Sequence, residues 1–87
     1  MYRIELQNRA RRQLDKMFGG RDADQISVAI LALGEDPRPH GIKKLVENLY
    51  RIRVGDWRVI FSIDDREKKV VIAKIARRSE DTYNNVE

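Results

Sequence analysis

Two arginines precede one glycine and a third follows it, at a spacing that would let the three hold a negatively charged group. Arg51, Arg53 and Arg58 flank Gly55-Asp56, and a two-residue link with glycine first is typical of a β-hairpin with a type II′ turn. Counting back from this turn places Arg53 opposite Arg58, with Arg51 on the same face. Like charges placed opposite each other destabilise a sheet. The hairpin alone leaves two interpretations open: the arginines bind an anion, or they only mark the solvated side of the sheet.

The other side of the same hairpin is predicted to be apolar. The register that pairs the arginines also places Val54 opposite Trp57 and Ile52 opposite Val59, and alternate residues along a strand share a face. We expect this side to pack on helices. Its members are Tyr50, Ile52, Val54, Trp57, Val59, Phe61 and Ile63.

Other groups that could take part in catalysis are few. His40 is the only histidine and lies in residues 34–41, which two prolines and two glycines make irregular. No carboxylate or serine motif accompanies it, so we expect His40 not to be catalytic. The sequence has no cysteine, which excludes disulfides and thiolate metal sites. We expect no metal and no other cofactor.

A strand and a first helix precede this loop. Residues 2–6 alternate apolar and charged side chains, which predicts a strand with one buried face. Asn8 can then cap a helix that ends at Gly19-Gly20. The apolar positions of this helix are Ala10, Leu14, Met17 and Phe18.

A second helix is predicted to follow the two glycines, forming a helical hairpin with the first. Asp22 or Asp24 can cap it, and Gly34 occupies the place of a helix C-terminal glycine. Its predicted apolar stripe comprises Ile26, Val28, Ala29, Ile30, Leu31 and Leu33.

The segment after the hairpin completes the expected fold. Residues 70–75 are mostly apolar and predict a central strand covered on both faces, and residues 79–87 form a short acidic C-terminal tail or helix. We predict one α+β domain, residues 1–87, of order β-α-α-β-β-β. The N-terminal helical hairpin would pack on one face of a small, mainly antiparallel sheet.

The net charge of +4 is unevenly distributed. Residues 1–40 carry a balance of +1, residues 41–78 carry +6 and residues 79–87 carry −3. The positive field lies in the half that contains the arginines, where it would attract phosphate or an acidic protein. No apolar run approaches the roughly 20 residues that span a bilayer, and the N-terminus does not resemble a signal peptide. We expect a cytoplasmic protein with no membrane partner.

Several segments together resemble the RelE/ParE toxin superfamily. They are the first strand, the helical hairpin, residues 36–41, 43–45 and 50–61, and the terminal Arg77 and Tyr83. The resemblance runs almost from end to end and implies a RelE-like fold. Members of the superfamily are small basic toxins encoded beside an acidic antitoxin.

The resemblance also implies a set of site residues. RelE-type toxins use basic residues of the middle hairpin, an arginine at the end of the last strand and a tyrosine in the tail. The implied catalytic residues are Arg51, Arg58, Arg77 and Tyr83, and the implied RNA-binding residues are Lys43, Lys44, Arg53 and Arg78. Two departures concern proton transfer. Well-understood members carry lysine where this chain has Arg51 and Arg53, and other RNA-cutting relatives carry histidine where it has Ala76.

The implied activity is that of a ribosome-dependent endoribonuclease. Such a toxin enters the 30S A site and cuts mRNA through attack of the adjacent 2′-hydroxyl, which inhibits translation. Because a fold alone does not determine function, two alternatives stay open: a ParE-type toxin that inhibits DNA gyrase without nuclease activity, and an inactive relative that only binds RNA or a protein. The implied partners are a RelB-like acidic antitoxin, the ribosome with mRNA, and operator DNA only for the toxin–antitoxin complex.

Overall fold

A five-stranded sheet with two helices on one face forms the domain. The computed structural model describes residues 1–77. The elements are β1 (Arg3–Leu6), α1 (Asn8–Lys16), α2 (Arg21–Glu35), β2 (Lys43–Val46), β3 (Leu49–Val54), β4 (Trp57–Asp64) and β5 (Lys69–Arg77). The predicted α+β class, the helical hairpin and the mainly antiparallel sheet are confirmed. The predicted acidic tail lies outside the described residues.

The sheet contains one strand more than the sequence predicted. Its order is β1-β5-β4-β3-β2, with β1 parallel to β5 and the other neighbours antiparallel. The additional strand is β2, a four-residue edge strand that is exposed throughout. Because it buries no face, it lacks the apolar alternation by which a strand is recognised in sequence.

The central hairpin has the register that the turn predicted. Val54 pairs with Trp57, Ile52 with Val59, and Arg53 with Arg58. Of the two turn residues only Gly55 has a positive φ, 61°, as a type II′ turn requires at its first central position. A side chain is disfavoured in this conformation, and glycine removes that cost.

The core lies between the helices and the apolar face of β3, β4 and β5. Phe61 is fully buried, and its ring stacks on that of Tyr50 at a centroid distance of 5.9 Å. The buried apolar residues are Ala10, Ala23, Ile26, Ile30, Leu33, Val59, Phe61, Ile63, Val70, Ile72 and Ile75. None of the described helices is long and apolar enough to cross a membrane.

Three predictions about buried faces were wrong. Phe18, predicted as an apolar position of the first helix, follows the end of α1 at Lys16 and is 87% exposed. Val28 and Leu31 of α2 are each 67% exposed, because the helix turns only Ala23, Ile26, Ile30, Leu33 and Gly34 into the core. Strand β5 lies inside the sheet, but the helices cover only one of its faces. Its buried apolar residues Val70, Ile72 and Ile75 alternate with partly exposed ones.

Gly34 has a packing role that differs from the predicted capping role. It lies within α2 and is buried, and its carbonyl oxygen accepts a hydrogen bond of 2.8 Å from the Tyr2 amide. A Cβ atom at this position would lie 3.0 Å from the Tyr2 carbonyl oxygen and 3.7 Å from the Ile4 side chain. Glycine therefore allows α2 to approach the chain that enters β1.

Replacing Gly34 with valine should separate α2 from β1. We expect Gly34→Val to lower the free energy of unfolding by about 1–3 kcal/mol, because a branched side chain is forced against backbone. Urea denaturation measures the change. Ala32→Val, at an exposed position of the same helix, is the matched control and should cost no more than about 0.7 kcal/mol. Equal losses in the two variants would contradict the close-packing role.

Candidate functional site

Five cations lie together on the sheet face that the helices leave open, and Arg3 and Lys69 lie elsewhere on the same face, beside Glu5 and Asp64. Residues paired across neighbouring strands share a face. Arg53 pairs with Arg58, and Arg51 pairs with Lys43 on one side and with Ile60 on the other. Ile60 in turn pairs with Lys74 of β5. We call this set the arginine face; its members are Lys43, Arg51, Arg53, Arg58 and Lys74.

The members of the arginine face differ in exposure. Lys43, Arg53 and Lys74 are exposed, whereas Arg51 and Arg58 are partly buried. The long aliphatic stems of the partly buried pair can lie along the sheet, and the Nε atom of Arg58 is itself buried. Lys44 was predicted with this group but pairs with Tyr50, which places it on the helix-bearing side.

A cleft opens at the edge of the arginine face, between β2 and β3. It has a volume of about 580 Å³. Its charged or titratable lining residues are Lys43, Arg51, Arg53 and His40. Gly41, Ile42 and Ile52 also line it. The structure thus places the histidine beside arginines that lie more than ten residues away in sequence. Sequence reasoning missed this because it did not find β2, the strand that brings the loop to β3.

The loop that carries His40 is fixed by one arginine. The Arg38 guanidinium donates to both carboxylate oxygens of Asp65 in the β4–β5 turn, at 3.2 and 2.9 Å, and lies 5.8 Å from the centre of the Tyr50 ring. The Arg38 amide donates to Asp36 Oδ1 at 3.2 Å. Tyr2 adds a hydrogen bond of 2.6 Å from its hydroxyl to Asp65.

These contacts shift the pKa of three groups, and the hydrogen bond to Asp65 raises the pKa of Arg38. The hydrogen bond from Arg38, followed by that from Tyr2, lowers the pKa of Asp65 from 3.8 to about 2. The hydrogen bond to the Asp65 carboxylate raises the pKa of Tyr2 above its ordinary value. The shifts of Asp65 and Tyr2 favour the arrangement seen, in which an ionised carboxylate accepts from a protonated phenol.

Arg77 does not lie with the arginine face. It pairs with Trp57, and its guanidinium is 4.7 Å from the centre of the Trp57 ring, a cation–π distance. The Trp57 indole N–H donates to Asp22 Oδ2 at 3.1 Å. A groove of about 400 Å³ beside them is lined by Gln13, Lys16, Met17, Asp22, Trp57, Ile75 and Arg77. Arg77 therefore lies on the side that the helices cover.

A β-bulge in β5 accounts for the position of Arg77. Ile60 pairs with Lys74 while the next residue, Phe61, pairs with Ile72, so Ala73 is an extra residue in the ladder. An extra residue exchanges the two faces for the rest of the strand. The bulge moves Lys74 and Ala76 to the arginine face and Arg77 to the other. The expected convergence of all the arginines thus holds for Arg51, Arg53 and Arg58 but not for Arg77.

The remaining predicted site residues, Arg78 and Tyr83, lie outside the described residues, and their roles stay predictions. Within residues 1–77, no group of three or more histidine or acidic side chains is arranged to hold a metal ion. The described site is therefore a basic surface with one imidazole at its edge.

Comparison with known proteins identifies the family. A family model for the ParE toxin of type II toxin–antitoxin systems matches residues 4–82. The chain belongs to the ParE toxin family. Both this match and the fold confirm the resemblance to the RelE/ParE superfamily. A comparison with curated proteins gave no match.

Solved structures are similar to this ParE-family toxin over most of its length. The RelBE2 toxin–antitoxin complex from Mycobacterium tuberculosis is 26% identical, with a TM-score of 0.75 and coverage of 88% of this chain and 98% of that chain. The archaeal RelE–RelB complex from Pyrococcus horikoshii OT3 is 24% identical, with a TM-score of 0.75 and coverage of 88% and 94%. The isolated Escherichia coli RelE toxin is 17% identical, with a TM-score of 0.76 and coverage of 99% and 100%. At 24% and 17% sequence identity, the likeness to the Pyrococcus horikoshii and Escherichia coli structures shows only that the fold is shared.

The ion pair between Arg38 and Asp65 should make the stability of this ParE-family toxin depend on pH in acid. Because the folded-state pKa of Asp65 is depressed to about 2, the pair stabilises the fold above the ordinary carboxyl pKa and loses this effect as pH falls towards 2. We expect Asp65→Asn to unfold at lower urea concentration than wild type at pH 7. The difference should persist to about pH 5 and then close towards pH 2.

Glu67→Gln is the matched control for this prediction. Glu67 lies in the same turn and is exposed, and the described ion pairs do not include it. A difference between Asp65→Asn and wild type that stays constant down to pH 2 would exclude the ion pair as its cause.

Proposed function

We propose that this toxin is a ribosome-dependent endoribonuclease that cuts mRNA in the 30S A site and so inhibits translation. The observation that supports the proposal is the pairing of Arg53 with Arg58, with Arg51 and Lys43 beside them on the same open face. Like charges directly opposite each other on neighbouring strands repel. A bound polyanion turns that repulsion into attraction, and RNA brings one negative charge per nucleotide.

The cations suit the chemistry of RNA cleavage. Attack of the 2′-hydroxyl on the neighbouring phosphorus passes through a phosphorane that carries more negative charge than the starting phosphodiester. Guanidinium groups fixed near that charge stabilise it without reorganising during the reaction. Arg58 lies on β4, the middle strand of the sheet, and is partly buried, so we take it as the candidate for this role.

The other cations are proposed to bind and orient the RNA backbone. Arg51 and Lys43 pair across β3 and β2, and Lys74 extends the same row to β5. This row crosses the sheet, so a strand of RNA lying along it would meet cations from β2, β3 and β5. Tyr83 is proposed to stack on an exposed base, a contact worth roughly 1–3 kcal/mol per base, and Lys44 and Arg78 stay proposed RNA contacts.

An acidic antitoxin is proposed as the partner that neutralises the toxin. The solved relatives from Mycobacterium tuberculosis and Pyrococcus horikoshii are toxin–antitoxin complexes. In this chain the arginine face is the surface that an acidic, RelB-like segment would cover by charge complementarity. We further propose that operator DNA is bound only by the complex of the toxin with its antitoxin.

Inhibition of DNA gyrase is the second candidate function, because the matching family model is that of ParE toxins. A basic sheet face can also bind an acidic protein surface without any chemistry. A supercoiling assay separates the two candidates. The nuclease proposal predicts that the toxin leaves gyrase-driven supercoiling unchanged at concentrations that stop translation.

Removing one guanidinium from the arginine face should slow RNA cleavage. On ribosomes programmed with a defined message, we expect Arg58→Gln to cut the A-site codon roughly 10²–10³-fold more slowly than wild type, the usual loss for one fixed donor to a charged transition state. The variant should still fold, because Arg58 lies on the open face and contributes no side chain to the buried core. Arg66→Gln, which changes an exposed arginine of the β4–β5 turn, is the control and should cut at the wild-type rate.

Arg77→Ala tests the role that the family pattern implies for Arg77. That role requires loss of cleavage in a protein that still folds, and it also requires the guanidinium to leave the Trp57 ring when RNA binds. Full activity in Arg77→Ala would assign the side chain to packing on Trp57 alone. Wild-type toxin that leaves mRNA intact on programmed ribosomes would reject the nuclease proposal as a whole.

A further inference from the structure

The cleft between β2 and β3 contains a group whose chemistry differs from that of all its charged neighbours. Its charged or titratable lining is Lys43, Arg51, Arg53 and His40. Lysine and arginine are protonated at neutral pH and act only as donors, whereas a neutral imidazole has a ring nitrogen with a free lone pair. Of the side chains that line the cleft, His40 is therefore the one that can accept a proton at neutral pH.

Among residues 1–77, the acidic groups Asp36 of the same loop and Asp65 of the β4–β5 turn have other partners. Asp36, on the same loop, accepts a hydrogen bond from the Arg38 amide at 3.2 Å. Asp65, from the β4–β5 turn, accepts from Arg38 and Tyr2. Arg58 of β4 lies beside Arg53 and adds a further cation. The groups that face His40 from β2 and β3 are Lys43, Arg51 and Arg53, all of them basic.

The loop that carries the histidine is held in place rather than free to move. Pro37 is buried and Pro39 partly buried, and each proline fixes its own φ. Between them Arg38 is bound to Asp65 at 2.9 Å and lies over the Tyr50 ring. The Ile42 amide donates to the Pro39 carbonyl oxygen at 3.4 Å. His40 is thus positioned at the cleft by contacts on both sides of it in the chain.

We propose that His40 is the general base of the cleavage reaction, which rests on the proposed nuclease function. The neutral imidazole accepts the proton of the 2′-hydroxyl as the 2′-oxygen forms a bond to phosphorus. The bond from phosphorus to the 5′-oxygen breaks, its electron pair stays on the 5′-oxygen, and water supplies the proton for that oxygen. The products are a 2′,3′-cyclic phosphate and a 5′-hydroxyl, and the imidazolium then returns its proton to solvent. Arg51 and Arg53 hold the phosphate oxygens during this step.

Single-turnover cleavage on programmed ribosomes, measured from pH 5 to pH 8, tests the proposal. In wild type the rate should rise with pH and then level off, as expected where a base must lose its proton before it can act. His40→Gln should be roughly 10²–10⁴-fold slower, the range usual for a lost general base, and its rate should no longer show that ionisation. Added imidazole should restore part of the activity of His40→Gly, as expected where a proton acceptor is missing.

Two controls separate a chemical role from a structural one. His40→Gln should keep the urea midpoint of wild type and its affinity for ribosomes, because His40 is exposed and glutamine preserves a polar side chain. Arg66→Gln should retain both the wild-type rate and the wild-type pH profile.

Different results would reject the nuclease function and the role of His40 as general base. Wild-type toxin that cuts no message at any pH would reject the nuclease function and, with it, the role of His40. Wild-type toxin that cuts, together with a His40→Gln variant of equal rate and unchanged pH profile, would overturn the role of His40 alone. A slow His40→Gln variant that keeps the wild-type pH profile and gains nothing from imidazole would also overturn it.

Discussion

The pairing of Arg53 with Arg58 is the constraint from which the site follows. The type II′ turn at Gly55 fixes this pairing, and the same register places Val59 and Phe61 in the core. A slip of one residue would send every apolar side chain of the hairpin to solvent. The fold therefore cannot separate the arginines without losing its core. An anion that binds this face meets the attraction of several cations at once.

Each strand of the hairpin thus serves stability on one face and binding on the other. Natural sequences depart from local structural preferences mainly at functional sites, and opposed arginines on an open sheet are such a departure. The surrounding contacts are ordinary by comparison. Phe61 stacks on Tyr50, and Gly34 lets α2 approach β1. The Arg38–Asp65 ion pair joins the loop after α2 to the turn between β4 and β5.

Local patterns in the sequence were sufficient for the fold class and for the hairpin register. They predicted the helical hairpin, the turn at Gly55 and the arginines of β3 and β4, because each depends on residues close together in the chain. Non-local features were not predictable in this way. The bulge at Ala73 sends Arg77 to the Trp57 side and Lys74 to the arginine face, and simple alternation gives no sign of it. The position of His40 beside Arg51 and Arg53 was not predictable either, because β2, which brings its loop to β3, has no buried face.

The central claim is that the arginine face acts on translated RNA. Mapping of 5′ ends on cellular messages after expression of the toxin tests this claim most directly. The account predicts new 5′-hydroxyl ends within coding regions, at a fixed position relative to the codon being read, and their loss when translation initiation is blocked. Growth arrest with no new RNA ends and with altered DNA supercoiling would contradict it, and would show that this basic face recognises a protein.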